Sequence, residues 1–370
     1  MEPLQGSNQS RPVRRSNSAA PIRVMIIDDS ITVRTVFSRM IESERDMALA
    51  ATVSNAERGL AKLADLDVDV ILLDLEMPGM GGLEALPKIL ETAQEAQVLV
   101  VSSLTEDGAE HTLAALSMGA ADTMPKPRPG GFDESYRATL LGKVRALGGR
   151  DPEARIASEP ADKAPAQRPA LSMRRKRAEV LAFGASTGGI HALNIVLRAL
   201  PRHFDLPILV TQHLPASFIP VFARQLELVS ARRTVIAGAG TEIVPGEIVL
   251  ASGMGHMLVE RRGSGLVTSI STAPAPSGCC PSVDPMLESL ASALDGRAMA
   301  IILSGMGRDG AIGAVDLVDR GGTVLAQDQE SSAVWGMPGA VTKAGLASAV
   351  LPPDKLAEKI LTETGVEAWK

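Results

Sequence analysis

The sequence predicts two doubly wound α/β domains, each a mainly parallel sheet with helices on both faces, and three observations carry that prediction. Short aliphatic runs alternate with amphipathic stretches in two separate series along the chain, as βαβ units do. Between the series lies a Pro-, Ala- and charge-rich stretch without apolar periodicity. Hydrophobic residues make up 45% of the chain but aromatics only 2%, so Val, Ile, Leu, Met and Ala must fill the cores, which suits buried parallel strands.

A chain of 370 residues is too long for one ordinary core and fits two domains and a linker. Residues 1–20 are polar and rich in Ser, Arg and Pro, and are expected to form a disordered extension. The first domain is expected over 21–147. Its strands fall at 22–27, 48–53, 69–73, 97–101 and 121–124, and its helices near 33–41, 56–64, 83–90, 109–118 and 135–147. A linker follows over 148–178, with Arg174, Arg175, Lys176 and Arg177 as its solvated end.

The second domain is expected over 179–370. Strands are predicted at 179–184, 207–212, 233–236, 247–251, 299–303 and 323–327, with helices near 189–199, 216–228, 283–294, 310–320 and 354–364. Residues 255–271 alternate apolar and polar side chains around Gly263-Ser264-Gly265, which predicts an antiparallel hairpin attached to the parallel sheet.

Several function classes are excluded early. A net charge of −6 gives no reason to expect nucleic acid or a membrane surface as partner, and four basic residues without aromatic neighbours do not change that. The first apolar run ends at Asp28 and Asp29, too soon for a signal peptide, and no apolar stretch reaches membrane-spanning length. The two cysteines, Cys279 and Cys280, are adjacent; they read as free thiols of a reducing cytoplasm, and their spacing holds no metal pattern.

In open parallel sheets, ligands bind at the carboxyl ends of the strands. In the first domain those ends carry Asp28 and Asp29, then Asp74, then Ser102, with Lys126 after the fifth strand. Carboxylates converging at one edge repel unless a cation binds, and an oxygen-only set suits Mg²⁺. Asp74 is then placed to attack the phosphorus of an incoming phosphoryl group, with Ser102 and Lys126 to bind its oxygens.

The second domain opens with a strand running into Gly184-Ala185-Ser186-Thr187-Gly188-Gly189. Two chemistries compete for such a turn. It can cradle a phosphate on a helix N-terminus, or it can expose Ser186 for nucleophilic attack. A nucleophile needs a base and an orienting acid. Of the five histidines, His213 alone ends a parallel strand on the edge of Ser186; His111, His191, His203 and His256 fall on helices, at the wrong edge or at the hairpin. Asp309 follows the strand at 299–303 on that same edge. The order Ser, His, Asp differs from the Ser, Asp, His order of ordinary α/β-hydrolases.

Residues 22–140, with IIDDS, LLDLEMPGMGG, VVSS and a Lys-Pro dipeptide in order, resemble the receiver domain of bacterial response regulators, a flavodoxin-like fold. Residues 179–366, with FGASTGG, TQHLP, LSGMGRDG and AVWGMPGA, resemble the catalytic domain of the chemotaxis protein-glutamate methylesterases. The first resemblance implies phosphorylation of Asp74 by a sensor histidine kinase, with Mg²⁺ at Asp29, Asp74 and the carbonyl of Glu76, and Asp28 supporting its water shell. Thr123 stands where receivers often carry an aromatic switch residue, a departure that touches the usual coupling to Ser102.

The second resemblance implies a cytoplasmic serine hydrolase without a cofactor in its catalytic domain. It would remove methyl esters from glutamates, and deamidate certain glutamines, on the cytoplasmic domains of chemoreceptors. Ser186 is implied as nucleophile, His213 as base, Asp309 as orienting acid, Thr187 as a positioning residue and the Met306 amide as an oxyanion donor. It further implies that the unphosphorylated receiver blocks the catalytic cleft. The alternative from another class is a non-catalytic signalling module whose GASTGG turn binds a nucleotide or partner protein.

Overall fold

The structure, a computed structural model, describes residues 20–93, 95–103, 105–127, 131–149 and 176–366. The expected extension and the larger part of the expected linker therefore lie outside the described residues.

The first domain is a five-stranded parallel sheet in the order β2-β1-β3-β4-β5, formed by β1 (Ile22–Ile27), β2 (Met47–Val53), β3 (Val70–Asp74), β4 (Gln97–Ser102) and β5 (Asp122–Pro125). Every residue of β3 is buried, as a central strand covered on both faces requires. Five helices cover the sheet: α1 (Ile31–Glu42), α2 (Ala56–Leu63), α3 (Gly82–Thr92), α4 (Glu106–Met118) and α5 (Glu134–Leu147). Four have a side-chain cap written into the sequence. Ser30, Asn55, Thr105 and Asp133 each accept from an amide of the first turn, satisfying a donor that the helix itself cannot. The cap of α3 is Gly81 without such a bond; its next residue, Gly82, lies so close to β3 that a Cβ there would sit 1.9 Å from the Asp74 carbonyl oxygen.

The second domain holds a seven-stranded parallel sheet in the order β14-β13-β12-β6-β7-β9-β8. Its strands are β6 (Val180–Ala185), β7 (Ile208–Gln212), β8 (Thr234–Ile236), β9 (Ile248–Leu250), β12 (Ala298–Ile302), β13 (Thr323–Gln327) and β14 (Ala349–Leu351). The helices are α6 (Gly189–Ala199), α7 (Ile219–Ser230), α8 (Val283–Leu294), α9 (Ala311–Asp319), α10 (Met337–Lys343) and α11 (Pro353–Thr364). The hairpin β10 (His256–Arg262) and β11 (Gly265–Ser271) pairs antiparallel as expected, but it forms its own two-stranded sheet and packs on α8 instead of extending the parallel sheet. The helix expected over 216–228 is preceded by a 3-10 turn, Ala216–Phe218, and its α part begins with Pro220 in the first turn, where a missing amide costs nothing. Two short elements, α10 and β14, lacked enough periodicity to be predicted.

The two domains pack directly on each other. The α4–β5 side of the first domain lies against α6, α7 and residues 333–334 of the second. Among the described residues, no helix is long and apolar enough to cross a membrane.

Candidate active site and phospho-acceptor site

The acidic edge of the first domain assembles as the strand order requires. The carboxylates of Asp28, Asp29 and Asp74 have oxygens within 4.8 Å of one another. Asp28 and Asp74 are buried while Asp29 is exposed, so the cluster opens to solvent on one side. Asp28 Oδ1 accepts from the Ser30 amide at 2.8 Å, but Asp28 Oδ2 is buried without a hydrogen-bond partner. An orphaned carboxylate oxygen beside two further carboxylates fits a hard cation with oxygen ligands.

Burial raises the pKa of Asp28, and burial also pushes Asp74 up to about 6 despite its bond to Lys126 Nζ at 2.6 Å. Asp74 Oδ1 accepts from the Glu76 amide at 2.9 Å, while the Glu76 side chain accepts from Ser103 Oγ at 2.6 Å. Ser102 ends β4 and shares a 2.5 Å hydrogen bond with the buried Thr112 hydroxyl on α4. The hydroxyl oxygen of Thr123 is buried without a hydrogen-bond partner.

At the carboxyl edge of the second sheet, Ser186, His213 and Asp309 follow the adjacent strands β6, β7 and β12. The His213 amide donates to the Ala185 carbonyl at 3.0 Å, which ties the end of β7 to the residue before Ser186. His213 Nε2 bonds Asp309 Oδ2 at 2.8 Å. Ser186 is fixed through its backbone: its amide donates to the Ser304 carbonyl at 3.0 Å, and its carbonyl accepts from Gln212 Nε2 at 3.0 Å. Gly305 keeps the flank of Ser186 clear, because a Cβ there would lie 2.8 Å from Ser186 Cβ. Met306 follows immediately, with a partly exposed side chain.

Asp309 is the most heavily bonded group of the site. Besides His213, its carboxylate accepts from Ser282 Oγ at 2.6 Å, the Val283 amide at 2.7 Å and the Gly310 amide at 3.1 Å. Burial opposes its charge, but His213 and these donors hold its pKa down to about 2. For His213, burial likewise disfavours the charge, yet the bond to Asp309 and the nearby Cys279 sulfur win and push it up to about 9.

Sequence reasoning missed the residues that build this acid's cage. Ser282 is the N-cap of α8 but makes no bond to its own helix, so Asp309 serves the helix's first amides from a distance, an anion at a helix N-terminus. The sequence carried no signal for this, since Ser282 before the helix reads as an ordinary N-cap. His256 then holds Ser282, accepting from its amide at Nδ1 at 2.9 Å.

Thr187 reaches across to the first domain. Its hydroxyl donates to Asp122 Oδ2 of β5 at 2.6 Å, and the Gly188 amide donates to the Ala121 carbonyl at 2.5 Å. Beside them Ser117 of α4 bonds His191 through its carbonyl at 3.0 Å and Asn194 through its hydroxyl at 3.1 Å. The first domain thus sits on the turn that carries Ser186.

Comparison with known proteins agrees with this architecture. The CheB methylesterase family matches residues 181–360, and the response regulator receiver domain family matches residues 24–131. Protein-glutamate methylesterase/protein-glutamine glutaminase 2 of Caulobacter vibrioides is 44% identical over 339 residues, covering 90% of this chain and 96% of that protein. The protein of that name from Azospirillum brasilense is 39% identical over 354 residues, covering 90% of each chain. The crystal structure of the Thermotoga maritima CheB methylesterase catalytic domain matches with 34% identity and a TM-score of 0.49, covering 50% of this chain and 98% of that one. With two domains in the same order and relatives of this identity along nine-tenths of its length, the chain belongs to the CheB methylesterase family and carries a response regulator receiver domain ahead of its catalytic half.

Proposed function

We propose that this protein is a phosphorylation-controlled serine hydrolase of the cytoplasm. It removes methyl esters from glutamate side chains on the cytoplasmic domains of chemoreceptors, and deamidates specific glutamines there. The observation that carries the reading is the His213–Asp309 pair at 2.8 Å, set one strand away from the turn of Ser186 in a chain of this family.

The chemistry follows from those groups. Asp309 accepts from His213 Nε2, which leaves Nδ1 as the ring nitrogen able to take a proton. Ser186 Oγ attacks the ester carbonyl while its proton passes to His213. The Met306 amide, beside the cleared flank of Gly305, donates to the developing oxyanion. His213 returns the proton to the departing methoxide, methanol leaves, and the glutamyl group remains on Ser186. Water then attacks that ester, giving up its proton to His213, which passes it to Ser186 Oγ as the glutamate side chain leaves. With a glutamine substrate the same steps release ammonia.

Control comes from the receiver. Magnesium, when bound by Asp28, Asp29, Asp74 and the Glu76 carbonyl, supplies positive charge against which phosphoryl oxygens can sit. Asp74 accepts the phosphoryl group from a histidine kinase, and Lys126 and Ser102 exchange their present partners for its oxygens. In the unphosphorylated form the α4–β5 face rests on the Ser186 turn, and its displacement opens the cleft to a receptor helix.

The nucleotide-binding alternative has no support in the turn's geometry. A phosphate cradle needs free amides, and those of Ser186, Gly188 and Gly189 are each taken by a backbone carbonyl. The test is methanol release from methylated receptor membranes, wild type against Ser186→Ala, with Mg²⁺ and a small phosphodonor. Release that needs Ser186 and rises with phosphodonor is expected. Equal release from Ser186→Ala would remove the serine mechanism.

A further inference from the structure

One contact at the catalytic edge has no part in the hydrolysis. Cys279 lies on the segment between β11 and α8, with its sulfur beside the His213 imidazole. The ligating atoms of Cys279, His213 and Asp309 all fall within 4.8 Å of one another. Cys279 is half-buried and Cys280 exposed, so solvent reaches the cluster from that side.

We infer that Cys279 and His213, oriented by Asp309, form a binding site for a thiophilic divalent cation, zinc foremost, and that its occupation stops the hydrolase. The site's chemistry differs from that of the receiver's acidic cluster. Carboxylates alone suit magnesium, whereas a thiolate beside an imidazole selects zinc and its neighbours. Tetrahedral zinc, with bonds of about 2.0 Å to nitrogen and 2.3 Å to sulfur, holds such ligands about 3.5 Å apart. The ligating atoms, grouped within 4.8 Å, must draw together around a bound cation to reach that.

Asp309 completes the arrangement from behind. A metal-bound imidazole commonly donates its other N–H to a carboxylate, which fixes its tautomer and orientation. His213 Nε2 already bonds Asp309 Oδ2 at 2.8 Å, so Nδ1 is the nitrogen left for a cation. That is also the nitrogen that must receive the Ser186 proton, so a bound cation and a working base exclude each other. Binding displaces the thiol proton to solvent and forms a sulfur–metal bond, with no redox step. The spacing of the two cysteines held no metal pattern because the partner ligand arrives from β7, dozens of residues away in sequence.

Cobalt(II) reports this site without reference to activity, because thiolate ligation gives a charge-transfer absorption that oxygen ligands do not. The full chain is titrated with Co²⁺ alone, and then Co²⁺ is displaced by Zn²⁺. The chain has two cysteines only, so the assignment is direct. The band is expected at one equivalent in wild type and in Cys280→Ser, and absent from Cys279→Ser, Cys279→Ala and His213→Ala. Methanol release, compared with each variant's own metal-free rate at constant Mg²⁺, is expected to fall about tenfold or more in wild type at zinc well above its dissociation constant. A chelator should restore it, and Cys279→Ser should lose the sensitivity.

No band in wild type, a band that survives Cys279→Ser, or one that survives His213→Ala but not Cys280→Ser would overturn the site. Undiminished methanol release at full occupancy would overturn the inhibition. The inhibition half rests on the esterase reading, but the binding half does not: a band with no methanol release under any condition would sink that reading while leaving the metal site standing.

Discussion

The Thr187 hydroxyl donates to Asp122 Oδ2 at 2.6 Å, so the residue next to Ser186 is held by a carboxylate of the receiver. The same carboxylate pairs with Lys143 of α5. A charged acceptor makes this hydrogen bond one of the stronger links across the interface, on the order of 1.5–3 kcal/mol. Replacing Asp122 by Asn or Ala should loosen the closed form. Methanol release without phosphodonor is expected to rise by roughly ten- to a hundredfold, and the further gain from phosphodonor to shrink by a similar factor. A basal rate no higher than wild type in folded Asp122→Asn would mean that the receiver is held by its other contacts, among them the Gly188–Ala121 bond and those of Ser117.

The His213 pKa of about 9 predicts a pH dependence with a definite sign. A general base works only when neutral, so kcat/KM should climb as pH rises toward about 9 and level off above it. Asp309→Asn removes the main support of the imidazolium; it should lower both the plateau and the midpoint. The same pair affects stability. A histidine whose folded pKa exceeds the unfolded value of 6.5 stabilises fully below that value, and the contribution is lost as pH rises through about 9. Thermal unfolding of wild type and Asp309→Asn should therefore differ at pH 6 and converge toward pH 10, about one unit past that midpoint.

Much of this was legible in the sequence, for reasons particular residues make plain. Asp74 and His213 sit at the ends of fully buried aliphatic strands, so their edge follows from the parallel alternation alone. The caps Ser30, Asn55, Thr105 and Asp133 similarly announce their helices locally. What stayed hidden depends on long-range placement. Ser282, held by His256, reaches Asp309 only because α8 starts beside β12, and no local pattern encodes that approach. The Thr187–Asp122 bond joins residues 65 positions apart in different domains. The hairpin's alternation predicted its pairing but not its partner, since an apolar face packs as well on α8 as on a sheet.

The acidic cluster predicts how magnesium and pH act on the receiver. Asp74 has a folded pKa near 6 against an ordinary 3.8, so the folded state binds more protons between those values and loses stability as pH rises through them. The deficit at neutral pH is at most about 3 kcal/mol. Asp74→Asn should therefore raise the unfolding temperature at pH 7.5 in a chelator, and lose that advantage below pH 4, where the wild-type carboxyl is protonated in both states. Magnesium should stabilise wild type at pH 7.5 by mass action and do so less in the variant. Equal shifts in both proteins would mean that the cation binds elsewhere.

The Ser102–Thr112 hydrogen bond predicts the route by which phosphorylation is read. Thr123 offers no aromatic ring to follow Ser102, but Ser102 is bonded at 2.5 Å to Thr112 on α4, the helix whose Ser117 grips His191 and Asn194. If Ser102 turns toward a phosphoryl oxygen it must release Thr112, and the freed hydroxyl keeps only its bond to the Gly108 carbonyl at 2.6 Å. That loss falls on a helix that touches both the acceptor edge and the catalytic domain. Thr112→Val removes the bond at nearly constant volume, in a fully buried position. Phosphoryl uptake at Asp74 should remain close to wild type, because Asp74, Lys126 and the acidic cluster are unchanged. The rise in methanol release on adding phosphodonor should shrink by about five- to tenfold, the effect of roughly 1 kcal/mol of lost coupling. Uptake and activation that both match wild type would place the coupling in β5 and Lys126 instead, since the backbone amide of Lys126 is itself bonded to the Ser102 carbonyl at 2.7 Å.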